Sequence, residues 1–311
     1  MASPSERILI TGSSGFTGRA LARALLDRGY AVSGLSRGAR LAWEREVELT
    51  ASEGVGAVLR EIEPDVVVHL AGVASPVHGS VAEIYEANVT GTASLLSSLR
   101  RAPRKPRLVL VASSAVVYAR SEDGHTQRED DRLEPINDYG VSKLAVEQMC
   151  RLALRDLPIQ VVRPFNYTGP GQSAAFLVPK IVDHFARDTG EIELGDLQLD
   201  RDISDLGDIV EAYVRLIAGP AGPTLNLCSG SPTHLASIVE LLRQISGRSM
   251  AVRTNPAFVR FGEPKLIVGD RTALDGRIGV WPRRSLRDTL QTMYAVASGG
   301  GEAVDADGSR W

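Results

Sequence analysis

A β-branched run, Arg7 to Thr11, leads directly into Thr11-Gly12-Ser13-Ser14-Gly15-Phe16-Thr17-Gly18. Beyond it, Ala20, Leu21, Ala24 and Leu25 recur at helical spacing over Arg19 to Arg28, and Gly29 stops the helix. No other stretch restricts the fold as tightly as this strand, glycine loop and helix. Gly12 permits the tight turn, Gly15 lets the backbone approach a pyrophosphate, and Gly18 lets the helix pack close to the strand. The helix N-terminus then turns free N–H groups toward phosphate oxygens. The spacing is Gly-x-x-Gly-x-x-Gly, and the same physics predicts a dinucleotide site contacted by Gly12, Ser14, Gly15 and Phe16.

Strand and helix signals go on alternating. Ala31 to Ser36 reads as a second strand, and Asp65 to Leu70 as a third that is apolar on both faces, as a buried parallel strand should be. Val81 to Arg100 reads as a helix, Leu108 to Ala112 as a strand, Tyr139 to Leu154 as a helix and Ile159 to Arg163 as a strand. This alternation predicts an α/β fold, a Rossmann-type doubly wound parallel sheet with helices on both faces. After Arg163, Pro164, Pro170 and Pro179 break the rhythm, with Gly169 and Gly171 among them. Helices are expected at Pro179 to Arg187, Leu206 to Ala218 and Leu235 to Ser246, with strands near Ile192 and at Thr224 to Cys228. The expected division is a dinucleotide-binding domain over 1–165, rejoined by 203–228, and a smaller discontinuous substrate-binding lobe over 166–202 and 229–298. The glycine- and acid-rich segment 299–311 is expected to be a disordered tail.

Composition excludes several classes. The 311 residues are 43% hydrophobic, enough for a sizeable core. With a net charge of -3 no global positive field attracts a nucleic acid. Apolar runs such as Val66-Val67-Val68 fall far short of the roughly 20 residues of a membrane span, and Met1 to Arg7 lacks the apolar core of a secretory signal. Cys150 and Cys228 are too far apart in sequence to suggest a disulfide framework, and the histidines have no ligand spacing, so no metal is expected. A soluble, reduced, cytoplasmic protein is the expectation. Arg100 to Arg107 is rich in basic residues; a solvated connection is favoured there over an anionic docking patch.

The end of the second strand should select the cofactor. An NAD site tends to place an acid there for the ribose hydroxyls. This chain has Gly34-Leu35-Ser36-Arg37 with Arg40 nearby and no acid in that slot. A hydroxyl and a guanidinium at Ser36 and Arg37 suit a 2′-phosphate, which predicts NADP(H), with NAD as the alternative. Further on, Tyr139-Gly140-Val141-Ser142-Lys143 opens a helix and puts phenol and ammonium on one face. A nearby ammonium favours the phenolate, so Tyr139 can exchange a proton with a substrate oxygen. Leu108 to Ala112 delivers Ser113 and Ser114 at its carboxyl end, where open α/β sheets bind ligands.

Taken together these residues resemble the extended short-chain dehydrogenases/reductases that act on nucleotide-diphosphate sugars. The resemblance also rests on His69-Leu70-Ala71-Gly72, Asn88-Val89-Thr90-Gly91-Thr92, Ser113-Ser114-Ala115-Val116-Val117-Tyr118, Arg163-Pro164-Phe165-Asn166, Gly169-Pro170-Gly171-Gln172 and Arg201-Asp202. It implies Ser114, Tyr139 and Lys143 as catalytic residues, Ser114 being the serine four residues before Tyr118. Lys143 would also hold the nicotinamide ribose, and Leu70, Ala71 and Gly72 would line the cofactor. Asn166, Lys180 and Arg201 would meet the substrate, Arg201 at its diphosphate unless it pairs with Asp202 or Asp205. Asn88 would brace the active-site helix, and His69 and Tyr118 would shape the pocket. The family's dimers imply a homodimer built on Val81 to Arg100 and Tyr139 to Leu154.

The family implies three reactions. Dehydratases resemble one another in an acid directly after the catalytic serine or threonine, where this chain has Ala115 and Val116, which argues against dehydration. The other two are a ketoreductase using NADPH once and a 4-epimerase retaining NAD. Arg163 to Asn166 with Gly169 to Gln172 and Arg201-Asp202 most resembles the subgroup that reduces GDP-4-keto-6-deoxy-mannose, while Ala115-Val116 looks epimerase-like. Ketoreduction of a nucleotide-diphosphate 4-keto-6-deoxy sugar is therefore expected, with epimerisation as the alternative. The intact Ser114, Tyr139 and Lys143 argue against a binding protein without chemistry.

Overall fold

Ile8 to Ile10, Val66 to Val68 and Leu108 to Val111 are fully buried in the computed structural model, which describes residues 6–73, 80–119, 124–259 and 263–300. Strands apolar on both faces can only sit in the middle of a sheet covered twice. In chain order the elements begin with β1 (Arg7–Thr11), α1 (Phe16–Leu26), β2 (Ala31–Ser36), β3 (Glu44–Glu46), α2 (Ser52–Ile62) and β4 (Val66–His69). Next come α3 (Val81–Tyr85), α4 (Gly91–Arg101), β5 (Leu108–Ala112), α5 (Asp138–Ala153), β6 (Ile159–Pro164), β7 (Asn166–Thr168), α6 (Leu177–Arg187) and β8 (Glu191–Leu194). The remainder is β9 (Asp200–Asp205), α7 (Leu206–Ile217), β10 (Leu225–Leu227), β11 (Pro232–His234), α8 (Leu235–Ser246), β12 (Ala251–Thr254), β13 (Leu266–Ile267), α9 (Thr272–Ile278) and α10 (Leu286–Ala297).

The chain divides into two units. The first comprises Met1–Ala119, Glu129–Pro164 and Val210–Leu227; the second comprises Arg120–Arg128, Phe165–Ile209 and Cys228–Trp311. The return to the first unit thus starts at Val210, where 203 was read from the sequence. The reason is local: Ile203 to Asp205 belong to β9, which pairs with β7. Arg120–Arg128 groups with the second unit, where Gln127 bridges to Gly269. Of the tail read as disordered, 301–311 lies outside the described residues.

The first unit carries a seven-stranded sheet in the order β10-β6-β5-β4-β1-β2-β3, every pair parallel. The chain winds outward from β1 to β3, then returns beside β1 with β4 and winds the other way. Right-handed crossovers in opposite directions place α1 on one face and α4 on the other. On the α4 face, Leu9, Val67, Val109 and Val161 pack with Val55 and Leu59 of α2, Leu95 and Leu99 of α4, and Val146 and Cys150 of α5. The reversal between β1 and β4 opens a crevice at the strands' carboxyl ends. There Thr11 leads into the glycine loop, His69 into Leu70-Ala71-Gly72, and Ala112 into Ser113-Ser114. The helix expected over Val81 to Arg100 contains one π turn, Glu86–Thr90, between α3 and α4. A wide turn leaves no trace in a 3.6-residue apolar pattern.

In the second unit β9 pairs with β7, β11 and β13, and β8 pairs with β12. Ile181 and Phe185 of α6, Ile238 and Leu242 of α8 and Leu290 of α10 form its core. Asp202, fully buried on β9, accepts the backbone N–H groups of Ser229 at 2.7 Å, Gly230 at 2.9 Å and Gly269 at 3.4 Å. Burial raises its pKa, and those donors pull the other way. Replacing Asp202 with Ala would strand the buried Gly269 N–H and free those of Ser229 and Gly230, at a cost of about 1–3 kcal/mol. Thermal melts should show Asp202→Ala well below the parent and Asp202→Asn between the two.

Candidate active site

The glycine loop is shaped by close approaches that exclude side chains. Gly12 has φ +72°, and a Cβ on it would lie 2.8 Å from the Ala71 backbone. A Cβ on Gly18 would lie 2.2 Å from the Gly12 carbonyl oxygen, so α1 sits directly on the loop. Gly15 is the N-cap of α1 and supplies no side-chain acceptor, and the positive end of the helix dipole faces the glycine loop. Ser14 and Gly15 are exposed and Phe16 half-buried. At the end of β2, Ser36 is 6% exposed and its Oγ finds no hydrogen-bond partner among the described residues; the next residue, Arg37, is exposed. A buried hydroxyl without a partner is costly unless something binds there.

Behind the loop, His69 joins three elements. Its Nδ1 is 2.7 Å from Thr11 Oγ1 and its Nε2 is 2.8 Å from Thr92 Oγ1, whose own O–H donates to the Asn88 carbonyl at 2.5 Å. Thr92 must therefore accept from Nε2–H, which leaves Nδ1 to accept from Thr11. Burial first, and the Lys143 charge second, push the His69 pKa down to about 3. The ring is a neutral strut with no acid–base role.

Asn88, in the π turn, accepts the Val73 N–H at 2.8 Å and donates to Ser142 Oγ at 2.9 Å; Ser142 in turn donates to the Tyr139 carbonyl at 2.7 Å. The start of α5 is thereby held from the side, while Asn137 caps it by accepting from Gly140 N–H at 2.8 Å. Tyr139 and Lys143 lie on its buried face, Lys143 Nζ 6.0 Å from the phenol ring centre and donating to the Ala112 carbonyl at 3.0 Å. A Cβ on Gly72 would stand 2.4 Å from Asn88 Oδ1 and 3.6 Å from Lys143 Nζ, so the loop after β4 runs against the lysine. Burial lowers the Lys143 pKa to about 8.

The two serines after β5 are not equivalent. Ser113 is buried and donates to Glu147 Oε1 at 2.5 Å. Ser114 is half-buried and, among the described residues, receives the Val116 N–H at 3.4 Å. Glu147, one turn beyond Lys143, is also held by Arg163 through Nε at 2.9 Å and Nη2 at 2.8 Å. Arg163 donates on to Tyr118 Oη at 2.9 Å, and Tyr118 donates to Asn226 Oδ1 at 2.6 Å. Burial raises the Tyr118 pKa to about 12, which leaves it neutral.

In the second unit Asn166 begins β7 and is exposed. Lys180 donates to the Glu193 carbonyl at 2.8 Å and sits 4.7 Å from the Phe258 ring centre. Arg201 is paired with neither Asp202 nor Asp205. Its guanidinium meets Glu263 at 2.9 Å and the Asp200 carbonyl at 2.8 Å, with a side chain 7% exposed. The Arg100 to Arg107 run serves the fold: Arg100 pairs with Asp156, Arg104 with Asp65, Arg107 with Glu6, and Lys105 caps the carbonyls ending α4. Among the described residues no group of three metal-ligating side chains converges.

Comparison with known proteins settles the family. The pattern of the NAD dependent epimerase/dehydratase family matches residues 8–228. The chain belongs to that family. It is 33% identical over 293 residues to the GDP-6-deoxy-D-talose 4-dehydrogenase of Aggregatibacter actinomycetemcomitans, covering 93% of this chain and 97% of that protein. It is 28% identical over 301 residues to the GDP-6-deoxy-D-mannose reductase of Pseudomonas aeruginosa, covering 94% and 97%. Among solved structures, RMD from Pseudomonas aeruginosa complexed with NADPH superposes with a TM-score of 0.84 at 28% identity, covering 95% of this chain and 99% of that one. The chain is an NAD(P)-dependent oxidoreductase of the extended short-chain dehydrogenase/reductase type. The crowded glycines and the unpartnered Ser36 hydroxyl fit a dinucleotide. Glu44 and Glu147, both buried, escape sequence reasoning because nothing in the residue string marks a carboxylate as buried.

The buried ammonium has a consequence for stability. A lysine whose pKa is lower in the fold than in the open chain binds fewer protons there, so stability rises with pH between about 8 and 10.5. Below that window the charge destabilises the cofactor-free fold. Lys143→Met should therefore raise its stability at pH 7, by up to about 3 kcal/mol on the scale of the pKa shift. Melting curves should show the gap narrowing as the pH climbs through that window.

Proposed function

We propose that the protein reduces the 4-keto group of a nucleotide-diphosphate 4-keto-6-deoxy sugar, with NADPH as reductant. The observation that carries the reading is the cofactor end: a buried, unpartnered Ser36 hydroxyl beside exposed Arg37, with no acid in the ribose slot. NADPH, which is consumed and released, suits a reductase; an epimerase returns what it borrows. The relatives support the chemistry, since the sugars in their names, 6-deoxymannose and 6-deoxytalose, differ at C4 and share one 4-keto form.

Bound NADPH would supply the hydride for the keto carbon. Tyr139 gives its proton to the keto oxygen as that oxygen becomes an alcohol. Ser114, whose hydroxyl is not committed to Glu147, holds the same oxygen by a hydrogen bond. Lys143 stabilises the phenolate left on Tyr139 and holds the nicotinamide ribose. Gly12, Ser14, Gly15, Phe16, Leu70, Ala71 and Gly72 form the cofactor cradle, and Ser36 and Arg37 take the 2′-phosphate. Asn166 and Lys180 bind the sugar nucleotide, and Arg201 meets the diphosphate at the cost of its contact with Glu263. Ala115 and Val116 supply no acid for dehydration.

The same apolar pair favours a second reading, a 4-epimerase with retained NAD. Purified protein incubated with GDP-4-keto-6-deoxy-mannose and NADPH decides between them. Stoichiometric loss of the nicotinamide absorbance is expected, and NMR at C4 reads the face of attack. Interconversion of a saturated sugar nucleotide with its C4 epimer, with no NADPH consumed, would replace the reductase by the epimerase. Tyr139→Phe should lower kcat by about 10²–10⁴-fold while NADPH binding changes little.

The enzyme works in the cytoplasm as a homodimer, with α4 and α5 of each subunit meeting about a twofold axis. Val141, Leu152 and Leu154 are exposed apolar residues in or just after α5. Light scattering should return about twice the 33.4 kDa chain mass, whereas a 33.4 kDa species alone would exclude the dimer. Among the described residues no helix is long and apolar enough to cross a membrane.

A further inference from the structure

β3 sets two acids beside the cofactor-selecting strand, exposed Glu46 opposite Ser36 and buried Glu44. Glu44 opens β3, opposite Gly34 of β2, and is 7% exposed. Its Oε1 accepts the Ser13 hydroxyl at 2.7 Å, from the glycine loop. Its Oε2 accepts the backbone N–H groups of Arg40 at 2.9 Å and Leu41 at 3.3 Å, from the connection between β2 and β3. The same connection is closed by Glu44 N–H to the Leu41 carbonyl at 2.9 Å and Gly34 N–H to the Trp43 carbonyl at 3.0 Å. Gly34 accommodates the packing, since a Cβ there would lie 2.4 Å from Ser13 Oγ and 2.6 Å from the Trp43 ring. Both carboxylate oxygens are thus spent within the protein, one on each of the two loops that flank the end of β2.

We propose that Glu44 is a positioning residue for cofactor choice: its carboxylate fixes the Arg37–Trp43 connection, so that Arg37 is presented to the 2′-phosphate of NADPH. This rests on the reading of Ser36 and Arg37 given above. An exposed guanidinium on a loose loop must order the loop each time it binds, which weakens the contact. Charge-assisted hydrogen bonds donated by two backbone N–H groups to a buried carboxylate remove that cost in advance. A carboxylate engaged in this way is also withheld from ribose hydroxyls, the role an acid takes in NAD sites. The acid that might have favoured NADH is used to favour NADPH.

The experiment titrates the cofactor-free full-length protein with NADPH and NADH by calorimetry, for the parent, Glu44→Ala, Glu44→Gln, Arg37→Ala and the Glu44→Ala/Arg37→Ala double variant. Glu44→Ala should weaken NADPH by about tenfold, the size of one charge-assisted hydrogen bond, and change NADH by less than about twofold. In the double variant the Arg37 substitution should add less than about threefold, because the two residues act through one contact. Trypsin should cut after Arg37 or Arg40 faster in Glu44→Ala than in the parent. Equal losses for both cofactors, or losses that add in full, would overturn the proposal. So would tighter NADPH binding by Glu44→Gln, the outcome if the negative charge merely repelled the phosphate. Should Glu44→Ala fail to fold, Glu44→Gln carries the test, with a smaller loss confined to NADPH. An Arg37→Ala protein that keeps parental NADPH affinity would sink the 2′-phosphate reading itself. Glu44→Ala would then decide alone: an NADPH-selective loss retains the loop role, and an equal loss ends it.

Discussion

The buried ion pair of Glu147 and Arg163 ties the catalytic helix to the sheet. Both side chains are less than a tenth exposed, and two parallel N–H···O contacts join them. Taking two charges out of water is expensive, and attraction offsets that cost only when the remaining donors and acceptors are satisfied. Here they are: Ser113 donates to Glu147, and Arg163 donates to Tyr118 and to the Glu129 carbonyl. The ion pair and hydrogen bonds to Glu147 raise the Arg163 pKa against the opposing effect of burial, so the charge is permanent. Through this one carboxylate, β5, α5 and β6 share a fixed register. Tyr139 and Lys143 precede Glu147 on the same helix, and Ser114 follows Ser113 on the same strand end. Three residues, Ser114 at the strand end and Tyr139 and Lys143 on the helix, are positioned by a contact none of them makes.

A second brace holds the other side of α5, and the π turn makes it possible. Widening one turn of the α3–α4 helix places Asn88 where it can meet both Val73 N–H and Ser142 Oγ. The helix is therefore held from the π turn by neutral hydrogen bonds and from β6 by an ion pair that Ser113, at the end of β5, joins. Rigidity of this kind suits proton transfer, where small displacements are costly. It is obtained while Lys143, a charge in a buried position, works against stability.

The middle of the sheet was legible because parallel strands buried on both faces are apolar at every position, as in Val66-Val67-Val68. The glycine loop was legible because steric exclusion leaves no other residue at Gly12 or Gly18. The edge was not. β3 is Glu44-Arg45-Glu46, which has no apolar signal, and α2 contains Gly54 and Gly56, poor helix formers. Tertiary contact overrides propensity in both, through pairing with β2 and burial of Val55 and Leu59. In the candidate site, side chains that face a ligand were named from motif positions. Those that hold them, Glu44, Glu147 and Ser142, were missed. Each meets a partner distant in sequence, Ser13, Ser113 or Asn88, and a carboxylate reads as solvated until the fold shows what covers it.

The acids around the reacting end narrow the chemistry. Glu147 is engaged by Arg163 and Ser113, Glu129 accepts the Asn226 N–H at 2.8 Å, and Asp138, the neighbour of Tyr139, receives the Tyr85 hydroxyl at 3.2 Å. Directly after Ser114, where an acid would serve elimination, Ala115 and Val116 form a short 3-10 turn with Val117. His69 is neutral at any physiological pH and both its nitrogens are bonded. Tyr118 is held protonated by burial. Tyr139 and Lys143 share the buried face of α5, the ammonium 6.0 Å from the phenol ring centre, and Ser114 stands at the end of β5. That set can move one proton to or from one oxygen. Among the described residues of the first unit, the carboxylates of Glu147, Glu129 and Asp138 already accept hydrogen bonds and His69 is neutral, an arrangement that suits interconverting an alcohol and a ketone.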